Sequence, residues 1–197
     1  MSPLRDRFNK FVGKTRYVVC RIFIHLAGDE VAPMLGVLNR AAREAVDSEG
    51  DLNTLGEGLV DICQNLIQLN TYWRSAANEG DFFWEEGEAG DYVTQLFTDS
   101  AQRYRSEPDL SAKDEELFLP ATPNLVVMIT VAFEGEEPDL ETDLASMEAL
   151  EAGLKTLINL HYQQKLRAIQ VHFSPARFGD ELTNDQLLLN FSELIPL

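Results

Sequence analysis

Three histidines are the residues of this chain best suited to bind a metal or transfer a proton. His25 and His172 lie in segments with strand-like alternation, and His161 lies near the end of a helical segment. Their spacing matches no zinc motif, so we predict structural roles for them and no metal site. One alternative stays open, because His25 and His172 on adjacent strands would lie close enough to bind a metal or sense pH.

Motifs for nucleotide and acyl chemistry are missing. The sequence has no glycine-rich phosphate-binding pattern and no G-x-S-x-G pattern. Carboxylates are abundant, but they fall in loops that we predict to be solvated, where burial does not tune a pKa for catalysis. We therefore predict a protein that is not an enzyme, with no catalytic residues and no cofactor. Hydrolysis by loop carboxylates remains an alternative.

The acidic segment 47–53 resembles the start of a calcium-binding loop. Such a loop needs glycine at its sixth position and glutamate at its twelfth, where this chain has Leu52 and Gly58. We instead predict a helix start, with Thr54 and Glu57 as a capping box.

The two cysteines, Cys20 and Cys63, both lie within apolar patterns and form no C-x-x-C pair. Reduced, buried thiols in a reducing compartment are the expected state. No stretch approaches the roughly 18–20 apolar residues of a membrane span, and no signal-peptide cleavage pattern is present. We expect a cytoplasmic protein.

Charge divides the chain into two unequal parts. The net charge is −17, from 16 basic and 33 acidic residues. Residues 1–28 hold six of the cations and one anion, so a basic segment precedes a strongly acidic remainder. Nucleic-acid binding is not expected, because phosphate contacts need clustered lysines and arginines. The expected partners are basic or locally polarised proteins.

Residues 1–16 form a predicted basic amphipathic arm. Its apolar residues recur with helical spacing and cations surround them. Such a helix binds an anionic membrane weakly, and the alternatives are docking on the acidic body or a mobile terminus. The candidate interaction residues in the arm are Arg5, Arg7, Phe8, Lys10, Phe11 and Lys14.

A second candidate interaction site is the aromatic cluster of Phe82, Phe83 and Trp84. It lies in an acidic segment, residues 74–91, that shows no regular periodicity. An aromatic cluster beside acidic residues is typical of a partner-binding patch. The favoured interpretation of this segment is a lid whose aromatic rings fold onto the preceding pair of helices.

The remaining elements follow from hydrophobic periodicity. Strands are predicted at residues 17–26, 125–133 and 166–173, and helices at about 29–46, 54–73, 93–107, 146–161 and 185–193. The uncharged run 125–133 is typical of a fully buried central strand. We predict an α/β (or α+β) domain over residues 17–197, with a three- to four-stranded sheet. It has one parallel β-α-β crossover and a helical-pair insertion packed on the sheet.

Several segments resemble a family of unknown function from cyanobacteria and chloroplasts, often mislabelled in plants as myelin-associated oligodendrocyte basic protein. The segments are 19–27, 38–42, 65–73, 124–135, 168–175 and 187–197. The family includes a chloroplast protein of acclimation to fluctuating light, so the resemblance implies a photosynthetic context. It also implies peripheral binding at a thylakoid membrane as an alternative to a purely cytoplasmic location. It implies no catalytic residues. The chain lacks the glycine-rich or membrane-spanning region that members commonly carry, so either the basic arm replaces an anchor or the protein is soluble.

The leading functional prediction is a non-enzymatic interaction protein, an assembly or regulatory factor with a protein partner in a photosynthetic or membrane complex. The alternative is a small-molecule-sensing domain with a pocket at the ends of two strands, after Phe133 and Phe173.

Overall fold

The computed structural model describes residues 13–103, 124–176 and 180–197, together with residue 9. This part of the chain contains five strands and five α-helices. The strands are β1 (Tyr17–Ala27), β2 (Trp73–Phe83), β3 (Asn124–Glu134), β4 (Leu166–Ser174) and β5 (Ile195–Pro196). The helices are α1 (Ala32–Asp47), α2 (Leu52–Gln68), α3 (Glu86–Gln102), α4 (Met147–Tyr162) and α5 (Asn184–Asn190).

The strands form one sheet in the order β4-β3-β1-β2-β5, and every neighbouring pair is antiparallel. The fold is therefore α+β. The prediction of three or four strands was wrong, and so was the parallel crossover. The predicted helix pair, α1 and α2, is present between β1 and β2.

The direction of β4 is set by the loop before α4. Residues 135–146 form an irregular segment between β3 and α4, long enough to carry the chain back along the sheet before the helix begins. The helix then returns to the end where β3 stopped, where Glu134 N donates to Lys165 O at 3.2 Å. Since β4 starts at that end, it runs antiparallel to β3.

Strand β2 was missed in the sequence because most of its residues are polar or small. Residues 74–81 contain no β-branched or aromatic side chain, so local propensity does not indicate a strand. The pairing partner supplies the signal instead: β2 lies against β1 from Trp73 to Phe83. The start of α3 was also missed in the sequence. The helix begins at Glu86, but its apolar spacing becomes clear only at Val93.

The buried strand predicted at 125–133 is confirmed as β3, which runs between β1 and β4. Ten of its eleven residues are buried. The strand at the middle of the order is β1, which β2 and β3 flank on both sides. Both strands need cover on both faces.

The two faces of the sheet are covered by different elements. The face that we call the major face carries the even-numbered side chains of β1, such as Ile22 and Ile24, and packs against α1, α2 and α4. The opposite face, the minor face, carries Val19 and Phe23. It packs against α3 and against residues 180–197.

Side-chain caps begin three of the helices. The Asp51 carboxylate accepts from Thr54 N at 2.9 Å and begins α2, so the predicted capping box of Thr54 and Glu57 was wrong. The Ser146 side chain caps α4. Thr183 and Gln186 form a capping box at the start of α5.

Candidate interaction site

The pairing of β1 with β2 brings the end of the basic arm to the aromatic cluster. Tyr17 lies opposite Phe83, and Lys14 Nζ is 2.6 Å from the Glu85 carboxylate. Of the arm residues predicted to interact, Lys14 is described, and Arg5, Arg7, Phe8, Lys10 and Phe11 lie outside the described residues. Two candidate segments that are about 70 residues apart in the sequence thus meet at one end of the sheet.

The three aromatic rings of the cluster are divided between the two faces. Phe82 is half-buried against the major-face core and meets Trp84 edge-on, with ring centroids 6.4 Å apart. Phe83 is half-buried on the minor face, 5.5 Å from the ring of Tyr92. Trp84 is buried. The rings end a strand, so the lid over the helix pair was a wrong prediction. Their role in binding a partner stays a prediction.

Arg16 joins this end of the sheet to the loop after β3. Its guanidinium lies 4.3 Å from the centre of the Phe82 ring and binds both carboxylate oxygens of Glu141, at 2.9 and 2.5 Å. It also donates to the Gly135 carbonyl at 3.0 Å. A bidentate ion pair whose guanidinium lies over an aromatic ring holds the loop in one position.

A cavity of about 330 Å³ lies on the major face between this loop and β2. Val18 and Cys20 line its inner part, Phe82 forms a wall, and Arg16 and Glu141 form its rim. Burial, with a smaller contribution from the Glu141 charge, raises the pKa of Cys20 to about 12, so the thiol is protonated at neutral pH. The inner part of the cavity is therefore uncharged.

Gly80 allows the close approach of β1 and β2 beside this cavity. A Cβ atom at this position would lie 2.5 Å from the Val19 carbonyl oxygen and 3.1 Å from Cys20 Cβ. A larger residue would push the strands apart or fill the cavity. Gly80 itself is exposed at the outer side of β2.

Most of the segment that forms β2 and α3 carries charge of one sign only. Residues 75–102 contain seven carboxylates and no lysine or arginine. The seven are Glu79, Asp81, Glu85, Glu86, Glu88, Asp91 and Asp99. This acidic surface lies directly beside the end of the basic arm.

A buried arginine on the minor face ties α3 to the sheet. Arg21 is 2% exposed. Its guanidinium binds the carboxylates of Glu79 and Asp99, and it donates to the Leu96 carbonyl at 3.0 Å and the Ser100 hydroxyl at 2.7 Å. The guanidinium donates four hydrogen bonds, and the Asp99 carboxylate lies 2.7 Å from Nη2. The charge is therefore compensated, and the site is not free to bind an anion.

The cleft beside Arg21 has a volume of about 390 Å³ and a second arginine on its wall. Arg103 pairs with Asp99 at 3.0 Å and with Glu193, and it donates to the Asn190 carbonyl at 3.0 Å. Its guanidinium also lies 5.8 Å from the centre of the Phe191 ring. The cleft is thus bordered by a network of ion pairs that links α3 to the C-terminal segment.

A comparison with known protein families matches nearly the whole chain. A family model described as a protein of unknown function, DUF1517, matches residues 16–197. The chain belongs to the DUF1517 family. No curated protein matches the chain, and no solved structure matches it either. Because the family has no assigned function, the DUF1517 membership supports the predicted family of unknown function and names no activity.

The histidines of this DUF1517 chain do not form a shared site. His25 is on β1 and His172 is on β4, with β3 between them. His25 pairs with Val126 and His172 with Met128, so they are also offset along the sheet. Strand spacings of about 4.8 Å place them too far apart for one metal. Among the described residues, no group of three His, Cys, Asp or Glu is arranged to hold a metal ion.

His25 instead holds the C-terminal segment onto the sheet. The Asn124 amide donates to the Leu182 carbonyl at 2.8 Å and to Asn184 at 3.0 Å, which turns its oxygen toward His25 Nε2 at 2.9 Å. This assigns the proton to Nε2, so Nδ1 accepts from the Ser75 hydroxyl at 3.0 Å. The three side chains are buried, so we assign them a structural role.

The predicted pocket at the strand ends does not form. Phe133 lies opposite Leu166, and Val126 lies opposite Ser174, so the loops after β3 and β4 emerge at opposite ends of the antiparallel pair. The acids after β3 pair with cations: Glu134 with Arg167 at 2.8 Å, and Glu137 with Lys165 at 3.0 Å. Hydrolysis by these carboxylates stays a prediction.

No helix in the described ranges is long and apolar enough to cross a membrane.

Sequence reasoning missed the Arg21 network and the β2 edge. A single arginine within an otherwise apolar strand was the available signal, because a buried charge requires partners.

Replacing Arg21 by methionine should lower the free energy of unfolding by about 1–3 kcal/mol, because the Leu96 carbonyl and the buried Ser100 hydroxyl lose their donor. The Glu79 and Asp99 carboxylates stay in contact with water and add little to this loss. Urea denaturation measures the change. The matched control is Arg167→Met, which removes an exposed ion pair with Glu134 and should cost about 0–1 kcal/mol. Equal effects of the two substitutions would contradict the assigned role of Arg21.

Stability should fall in acid because of His172. Burial, and then repulsion from Arg21, lower its pKa to about 4, against 6.5 in the unfolded chain. Between these values the unfolded state binds more protons, so stability present above pH 6.5 is lost as the pH falls toward 4. The loss should reach about 2 kcal/mol near pH 5. Urea titrations near pH 7.5 and pH 5 measure the loss of unfolding free energy, which should be smaller for His172→Phe than for the unchanged protein. Identical losses would refute this assignment.

Proposed function

We propose that this DUF1517 protein is a non-enzymatic interaction protein that acts in the assembly or regulation of a photosynthetic or other membrane complex. The main support is the division of charge between the basic arm and the acidic rest of the chain, which includes the acidic surface of residues 75–102. The earlier resemblance to a cyanobacterial and chloroplast family supports the photosynthetic context. A cytoplasmic protein bound peripherally at the thylakoid membrane fits this proposal.

The charge layout favours an oriented contact with a membrane complex. Residues 1–28 carry five more cations than anions, whereas the rest of the chain carries 22 more anions than cations. An anionic membrane would attract the arm and repel the body, with about 1 kcal/mol for each basic residue near the surface. The acidic surface of β2 and α3 would then face away from the lipid, toward a protein partner with basic groups.

Co-sedimentation with isolated thylakoid membranes tests this proposal. Changing Arg5, Arg7, Lys10 and Lys14 to serine should reduce the bound fraction roughly tenfold or more, because four cations are lost from the arm. The matched control changes Arg40, Arg43, Lys155 and Arg167 to serine, which alters the net charge equally elsewhere. Cross-linking should then join the bound chain to a membrane complex. Equal binding of the two variants, or no binding of the unchanged protein, would overturn the proposal.

The second candidate function is small-molecule sensing, and the cavity of about 330 Å³ beside Cys20 favours it. Its uncharged inner part and its rim of Arg16 and Glu141 suit a small ligand with one apolar and one polar end. A thermal-shift screen with nucleotides and metabolites should raise the melting temperature for at least one compound. The absence of any stabilisation would count against a sensing role.

A further inference from the structure

Among the described residues, the outer edge of β2 has no neighbouring strand over most of its length. Its outer neighbour, β5, pairs only with Ser75 and Ala76. In the part of the chain that the structure describes, no strand pairs with β2 beyond Ala76 on this side. Unpaired strand edges of this kind are templates for another strand.

The backbone groups of this edge point outward at alternate residues. Phe82 N donates to the Asp81 carboxylate rather than to β1. Backbone groups alternate in direction along a strand, so the N–H and C=O groups of Gly80 and Asn78 share that outward side. The Asn78 side chain closes one end of the opening by binding Thr142 O and Leu144 N, at 2.8 and 2.9 Å.

The two faces beside this edge have different chemistry. On the minor face, β2 presents the carboxylates of Glu79 and Asp81, and both residues are exposed. On the major face, the edge borders the cavity of about 330 Å³ with Phe82 as a wall and Cys20 inside it. A strand added here would place alternate side chains beside the acids and beside the cavity.

We propose that the β2 edge from Asn78 to Phe82 binds an extended basic segment of a partner protein by strand addition. Cationic side chains of that segment lie beside Glu79 and Asp81, and an apolar side chain between them enters the cavity over Cys20. Glu79, Glu85 and Asp99 pair with cations from elsewhere in the chain, and the other four carboxylates of residues 75–102 keep this surface negative. The surface therefore selects a basic segment over an acidic one. This inference rests on the proposed function and names the mode of binding.

The probe is a synthetic peptide with alternating chemistry, Lys-Val-Lys-Leu-Lys-Val-Lys, added to the full chain. Three matched peptides test the three requirements: glutamate in place of lysine tests charge, the same residues with the lysines grouped test alternation, and backbone N-methylation tests strand pairing. NMR shifts and hydrogen exchange of the Asn78 and Gly80 amides report binding at the edge.

The alternating basic peptide should shift these amides and slow their exchange. The glutamate and grouped peptides should leave them unchanged, and N-methylation should weaken binding roughly tenfold, because it removes a backbone hydrogen bond. Asp81→Asn keeps the acceptor for Phe82 N but removes a charge, and should weaken binding roughly two- to fivefold.

If the grouped or the N-methylated peptide bound as tightly as the alternating one, the edge would be only a nonspecific acidic surface. That result would overturn the inference. Binding that appears only after removal of residues 1–16 would mean that the chain fills its own edge, which also overturns it. If the protein co-sedimented with membranes and their complex but the Gly80 amide gained no protection from hydrogen exchange, the proposed function would stand. Strand addition would then be refuted. The two proposals can therefore fail separately.

Discussion

The buried charge of Arg21 is the constraint on which the minor face depends. A guanidinium in the middle strand of a covered sheet would be prohibitively costly without partners, because burial removes its water. The chain supplies those partners from β2 and from two turns of α3, including the Leu96 carbonyl and the Ser100 hydroxyl. The helix is thereby held in one position on the sheet. Apolar packing of Val93 and Leu96 alone would allow more freedom.

The same logic extends to the C-terminal segment. His25, on the same face of β1, reaches Asn124, which in turn binds Leu182 and Asn184. Arg103 completes the connection by joining α3 to Asn190. Polar groups of the sheet therefore fix the positions of α3 and the C-terminal segment, which make only a modest apolar contact with the sheet. The major face needs no such device, since α1, α2 and α4 bury a continuous apolar core there.

This division explains where binding is expected. Cations that lie within the fold, such as Arg21 and Arg103, are matched by carboxylates and serve structure. The charge that is left over is acidic, and part of it lies on β2 and α3, beside a strand edge that the described residues cover incompletely. Buried His25 likewise serves the fold. The accessible features of the described residues are a strand edge, a partly apolar cavity and an acidic surface.

By itself the sequence determined the strongly periodic elements, the missing motifs and the division of charge. β1, β3, β4 and the helices with clear apolar stripes were predictable because their patterns record burial directly. Only the tertiary structure decided strand direction, the existence of β2 and the partners of Arg21. Strand direction depends on the path of residues 135–146, which have no periodicity. The partners of Arg21 lie 58 to 79 residues away, so no local pattern indicates them.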